Sequence, residues 1–393
     1  MAHSHRPILL ILSAVVCILI GVLGSCRNSS VMGTSIWNPS DVWSPVGYPA
    51  ISDSNVAYTS MALTADGTPY VAFEDGARAA FASVMKFNGA GWVYVGSPGF
   101  SGTVAQWTSL AIDSNGILYV AFVDASVTPA AVSVMTYTGT GPTGWQLVGN
   151  ADLSGSAGNV WQVSIAINPG GVPHVAYVDP STSKATVMGY SSGTNTWVPV
   201  GATVGFSGAG ASNVSLAFDK VGTPFVAFTD GSFGNRESVM TYTGPTGWQY
   251  VGGQGFSGSS VAYISLVVDS SGVPYVAYGD AAVPGMMASV MKYSGGAWSY
   301  VGNRFLTSPG IVFGVSLALS PTGNPYVAYQ DGTNGPATVV QFSGGSWIPV
   351  GRTGFTGGEA QDISLAIDSN GTSYVAYEDF LHGGFATVVR LVK

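Results

Sequence analysis

The sequence predicts an all-β chain built from seven copies of one four-stranded unit, and three markers recurring at a common period carry that prediction. The first is Trp43, Trp92, Trp145, Trp197, Trp248, Trp298 and Trp347, spaced by 49 to 53 residues. The second is Asp75, Asp124, Asp179, Asp230, Asp280, Asp331 and Asp379, and the third is Ser60, Ser109, Ser164, Ser215, Ser265, Ser316 and Ser364. Each set counts seven, and a period of this size belongs to arrays that stack small β units.

The copy around Trp298 shows the elements in order. Ile264–Asp269 alternates apolar and small residues and reads as strand a, Pro274–Asp280 as strand b, Ala288–Tyr293 as strand c and Trp298–Val301 as strand d. The links Asp269-Ser270-Ser271-Gly272 and Ser294-Gly295-Gly296-Ala297 are short and glycine-bearing, as antiparallel hairpins require. Seven such sheets describe a seven-bladed β-propeller in one domain, residues 41–393. Strand a carries small Ser and Ala, suiting it to the crowded axis, while strand b carries aromatic pairs such as Tyr70 and Phe73, suiting it to the wedges between blades. The last copy ends after strand c at Leu391, and the chain opens with an unmatched strand d at Trp43-Ser44-Pro45-Val46-Gly47. Pairing the two completes the seventh sheet and removes its open edge.

Composition bounds the function. Charged residues are 8% of the chain against roughly 25% in ordinary soluble domains. The net charge is −8, which argues against nucleic acid as a partner, since phosphate binding needs a Lys/Arg surface. Residues 1–25 have the layout of an export signal: His3, His5 and Arg6 precede an apolar run from Ile8 to Gly24. The run ends in Leu23-Gly24-Ser25-Cys26, which resembles the lipobox of bacterial lipoproteins and implies lipid attachment at Cys26. Cys17 falls within the leader, so Cys26 is the single mature cysteine and a disulfide framework is excluded. Residues 26–40 read as a tether, and the chain is expected to be exported, lipid-anchored to the bacterial envelope and monomeric.

The repeat string Ser-Leu-Ala-x-Asp-x-x-Gly-x-Pro-Tyr-Val-Ala-Tyr-x-Asp, then Ser-Val-Met-Lys-Tyr, then Trp-x-x-Val-Gly-x-x-Gly-Phe-Ser resembles the repeats of bacterial exported seven-bladed propeller proteins. The resemblance covers residues 41–393. It implies the fold and leaves the function open, because propellers host binders, lectins, scaffolds and hydrolases. The Gly-His and Trp-Asp pairs of WD40 repeats are missing, as is the Asp-box order of sialidases.

A residue present in every copy is demanded by the blade, and a residue present in one needs another explanation. The strand b aspartates are therefore expected to cap the following loop, and Asp113, Asp219, Asp269 and Asp368 to be hairpin-turn residues. His174 replaces a strand b aromatic and reads as a packed ring. No zinc spacing, nucleophilic triad or phosphate-cradling loop stands out, and no cofactor or metal is expected.

What remains lies in the variable d–a and b–c loops, which antiparallel order puts on one face. Tyr58, Trp107, Trp161, Tyr263 and Phe313 stand near the start of strand a, as platforms for sugar rings or as a hydrophobic lid, where other copies hold Asn213, Gly314 or Asp362. Arg304, Arg352, Glu359 and Asp362 form a polar group. Its readings are a grip on an acidic glycan or peptide, a surface salt-bridge cluster, and a Glu359/Asp362 carboxylate pair for glycoside hydrolysis. The leading expectation is a non-enzymatic module that recognises a glycan or protein through the d–a/b–c face. The alternatives are a propeller glycoside hydrolase or lyase, and a scaffold of an envelope complex.

Overall fold

The computed structural model describes residues 41–393 apart from 142, 156–157, 202, 283–284, 308–310 and 333. The leader, the tether and Cys26 lie outside the described residues. Seven four-stranded antiparallel sheets are present. In blade 1, strands a to d are Val56–Leu63, Pro69–Asp75, Phe81–Phe87 and Trp92–Tyr94. The other six a strands are Ala105–Ile112, Val163–Ile167, Ala211–Phe218, Val261–Val268, Val312–Leu319 and Ala360–Ile367. In blade 7, strands b and c are Ser373–Asp379 and Phe385–Val392, and the N-terminal strand Val42–Pro45 supplies strand d, with Val42 opposite Val392 and Pro45 opposite Val389.

The invariant residues prove to be the fastenings of this ring. Each strand a serine accepts a backbone N–H from strand a of the next blade. The seven bonds run from Leu110 to Ser60, Ile165 to Ser109, Leu216 to Ser164, Leu266 to Ser215, Leu317 to Ser265, Leu365 to Ser316 and Met61 to Ser364, at 2.9–3.1 Å. The last closes the circle. On the outer rim each tryptophan donates its ring N–H to a valine carbonyl of the preceding blade, from Trp92 to Val46 through Trp347 to Val301 and Trp43 to Val350, at 2.6–2.8 Å. Small side chains suit the inner bond and a long, flat donor the outer one, because the blades diverge from the axis.

Between these rings the wedges are apolar. One cluster joins Ala72, Ala82 and Val84 of blade 1 to Leu110, Val120 and Phe122 of blade 2, and the pattern repeats around the molecule. Strand b is covered on both faces, which is why Val71 and Ala72 are fully buried there and polar alternation is lost. Truncating a ring such as Phe122 to Ala costs about 3–5 kcal/mol. The strand b aspartates cap their loops: Asp75, Asp124, Asp179, Asp230 and Asp280 each accept an N–H two residues on. Asp379 instead takes the Nδ1 of His382 at 2.7 Å, and Asp331 is exposed. His174 donates its Nδ1–H to the Val172 carbonyl at 3.0 Å and packs edge-on against Phe218, and burial lowers its pKa.

Two departures from the sequence reading matter. Strand a begins earlier than expected, at Val261 and not Ile264 in blade 5, because an extra residue is accommodated by a bulge. Glu237 occupies a strand c position held elsewhere by Ala82, Val132, Ala185, Ala288, Ala337 and Ala386. It is fully buried and neither carboxyl oxygen meets a hydrogen-bond partner, so burial pushes its pKa well above the usual carboxylate value. A folded-state pKa above the unfolded one gives stability that is complete below about pH 4.5 and is lost as pH rises. Glu237→Ala is accordingly expected to raise the melting temperature at pH 8 and to flatten its decline from pH 5 to pH 8. A variant that melts lower at pH 8 would show that the carboxylate has a compensating partner.

Candidate functional site: an axial funnel

The bulges build the site. In six blades the register of strands a and b slips by one residue just before the serine, as between Ala57 and Ser60 or Gln361 and Ser364. The extra residue lies two positions before that serine and has a left-handed backbone: Tyr58 (φ 55°), Trp107 (54°), Asn213 (51°), Tyr263 (55°), Gly314 (54°) and Asp362 (48°). Gly314 shows that the blade accepts glycine there. An L side chain in this region costs about 1–2 kcal/mol, and a bulky one is an outlier. Three blades therefore keep an aromatic side chain, Tyr58, Trp107 or Tyr263, where the backbone favours glycine, asparagine or aspartate, which makes the ring a candidate for a role beyond folding.

These residues surround a cavity of about 520 Å³ on the axis. Blade 3 lacks the bulge and contributes Gln162. Going round the ring, Tyr58 and Trp107 form a tilted pair with centroids 4.8 Å apart, and Gln162 and Asn213 supply amides. Tyr263 and Phe313 form an edge-on pair at 6.0 Å, and Asp362 completes the circle. Among the described lining residues none is Lys, Arg or His.

Asp362 is pinned in place. Its carboxylate accepts the Tyr58 N–H, the Thr59 hydroxyl donates to the Asp362 carbonyl, and the Thr108 hydroxyl donates to the Tyr58 carbonyl. The threonine position holds Val163, Val214, Ile264, Val315 and Ile363 in the other blades, so the arc Asp362–Tyr58–Trp107 alone has this support. Two further carboxyls flank it, Glu74 and Glu378, each just before the strand b aspartate, where other blades carry Val123, Val178, Thr229, Gly279 and Gln330. Burial, and then the charge of Asp362, pushes Glu74 up to about 7; burial, Asp362, Glu359 and Glu74 push Glu378 up to about 8. Asp362 is itself raised by burial. One Glu74 oxygen is shut away from solvent without a hydrogen-bond partner.

Of the residues singled out in the sequence, Tyr58, Trp107, Tyr263, Phe313 and Asp362 line the cavity and the others do not. Trp161 lies outside the lining and is 70% exposed, and the ring residue of blade 3 is Gln162, two positions before Ser164. Arg304 is committed to Asp280, with Nε at 2.8 Å and an Nη at 3.0 Å, and is not free to grip a ligand carboxylate. Glu359 accepts the Gln361 amide at 2.6 Å, outside the cavity wall, and Arg352 is exposed. The polar group of four is thus dispersed, and Asp362 is the member at the funnel. Glu74, Glu378, Thr59, Thr108 and Gln162 were not picked out, although each is a one- or two-copy residue and the comparison of copies contained the signal.

Thr108→Val tests the pinning. Blade 4 carries Val214 at this position, so stability should change by no more than about 1 kcal/mol, the usual worth of one hydrogen bond. Affinity for a funnel ligand should fall about tenfold, with Thr108→Ser restoring it. Unaltered affinity would mean that ring closure alone fixes Tyr58.

No family model matches the chain, and no curated protein matches it. The fold is that of a seven-bladed propeller with an axial funnel, and solved propellers resemble it. An ulvan lyase of a new polysaccharide lyase family, bound to GlcA(1-4)Rha3S, superposes with a TM-score of 0.57 at 11% identity, over 88% of this chain and 95% of that one. The polysaccharide lyase Uly1 gives 0.52 at 11% identity, over 88% and 91%. An α-L-arabinanase of Penicillium chrysogenum gives 0.48 at 12% identity, over 74% and 93%. At 11% identity the likeness to the two lyases establishes the fold and nothing finer.

Proposed function

We propose that the chain acts on a neutral glycan as a propeller-type glycoside hydrolase with its site in the axial funnel. The observation that carries this reading is Asp362 at the wall of a preformed cavity beside an aromatic pair, backed by Glu74 and Glu378, all three with raised pKa. Tyr58 and Trp107 offer a stacking wall for a sugar ring. Asp362 is the carboxyl at the cavity wall, placed to exchange a proton with a leaving glycosidic oxygen, and Glu74 behind it, at about 7, keeps a proton near neutrality with which to resupply it. The described lining holds amides and one carboxylate but no Lys, Arg or His, which favours a neutral glycan over a uronate-bearing one. Structural neighbours that are polysaccharide lyases sit comfortably with a glycan ligand. Export and acylation at Cys26, expected from the sequence, belong to the same proposal and would place the glycan outside the cytoplasm.

Recognition without cleavage is the second reading. It is favoured by one observation: Asp362 is the single carboxylate of the described lining, with Glu74 and Glu378 behind it. One experiment separates the two. The protein is incubated with a panel of neutral polysaccharides, and both bound glycan and released reducing ends are measured. Hydrolysis predicts release that falls at least a hundredfold in Glu74→Gln while binding persists. Binding with no release supports recognition alone, and neither binding nor release sinks both.

A further inference from the structure

We infer that the funnel receives the terminus of a glycan chain, end-on, and not an internal stretch of polymer. The inference rests on the glycan reading above and narrows it to a substrate class.

The wall of the cavity is continuous. Strand a of every blade contributes to it, and each strand is bonded to the next through a serine hydroxyl, from Leu110 to Ser60 at 2.9 Å round to Met61 to Ser364 at 3.0 Å. A cleft that binds polymer internally is open at two ends, so the chain runs through it. Here the wall encircles the axis with no opening between blades, so an internal segment could reach the site only after a terminus had threaded in first or by doubling back through the mouth. A terminus needs a single passage.

Size and chemistry agree with this. A volume of about 520 Å³ falls within the range of small-molecule sites, roughly 300–1,000 Å³, and suits one or two sugar residues. The two aromatic pairs, Tyr58/Trp107 on blades 1 and 2 and Tyr263/Phe313 on blades 5 and 6, stand roughly opposite each other across the axis. Between them lie the amides of Gln162 and Asn213 on one side and Asp362 on the other. A pyranose ring has two C–H faces and a rim of hydroxyls. Facing aromatic walls match the faces, while amides and a carboxylate match the rim. The Asn213 amide already donates to the Thr229 hydroxyl at 3.2 Å, which leaves its carbonyl oxygen to accept from the ligand.

The test uses a neutral polysaccharide bound by the protein, cut into size-fractionated pools and titrated calorimetrically at equal mass against Glu74→Gln, so that chain length is preserved. End-on capture predicts binding equivalents that track the number of chain ends, doubling when mean length is halved. It also predicts at least tenfold weaker binding in Trp107→Gly, a substitution that gives blade 2 the residue blade 6 already has at this position. Equivalents that track mass, equal binding of a cyclic glucan of the same linkage, or full binding by Trp107→Gly would overturn the inference and leave the glycan reading standing. No binding of any neutral glycan by the wild type would overturn that reading, and this inference with it.

Discussion

Asp362→Asn should give a protein that is more stable and inactive. The exchange keeps an acceptor for the Tyr58 N–H, and asparagine tolerates the left-handed backbone, as Asn213 does in the same position of blade 4. What it removes is a desolvated charge that raises both neighbouring carboxyls. The gain at pH 8 is expected to be roughly 1–3 kcal/mol, since each pKa unit corresponds to about 1.4 kcal/mol. Its pH dependence is fixed in sign. Glu74, Glu378 and Asp362 all have folded pKa values above their unfolded ones, so their favourable contribution is complete below about pH 4 and is lost as pH rises, through about 7 for Glu74 and about 8 for Glu378. Without the Asp362 charge the two glutamates titrate closer to their ordinary value, and less stability is lost. Melting curves of the two proteins should converge at pH 4 and diverge towards pH 8, with hydrolysis by the variant down at least a hundredfold. A variant that melts lower at pH 8 would falsify the charge-repulsion account, and one that keeps its activity would remove Asp362 from the chemistry.

Deleting residues 41–47 should have the largest effect on folding. Blade 7 would lose its outer strand, with the pairing from Val42–Val392 to Pro45–Val389. It would also lose the Trp43 bond to Val350 and the stacking of Trp43 on Phe355 at 4.6 Å. The damage reaches blade 1, because the carbonyl that accepts the Trp92 ring N–H belongs to Val46, and a buried donor left unpaired costs about 1–3 kcal/mol. With burial of Val46 and Trp43 added, the loss is roughly 5 kcal/mol or more, and strand c of blade 7 is left as a free edge. Broad, non-cooperative melting and concentration-dependent aggregation are expected. Cooperative melting at the wild-type temperature would show that six complete blades hold the ring closed.

The fold was legible because its fastenings are side chains that recur. Ser60 and Trp92 belong to sets of seven, and a bond needed at every blade seam leaves a mark at every period. The funnel was legible only in part, for two physical reasons. Counting two places back from the serine reaches Gln162 in blade 3, but the residue that stands out by type is its neighbour Trp161, three places back like the lining residue Phe313. Glu74 and Glu378 adjoin an aspartate found in every blade, and in Phe-Glu-Asp or Tyr-Glu-Asp the unique acid is read together with the common one. Arg304 carried the opposite difficulty: it is unique, but its partner Asp280 is an invariant loop cap lying 24 positions away in the chain.

The closing strand also fixes which way the propeller is held. Val42 lies opposite Val392, at the end of strand c, and therefore on the side of the short a–b and c–d hairpins. The funnel opens among the d–a and b–c loops on the other side. Strand d of blade 7 thus enters the ring on its back, as a stem meets a cup. A ligand can therefore approach the rim without crossing the strand that closes the ring.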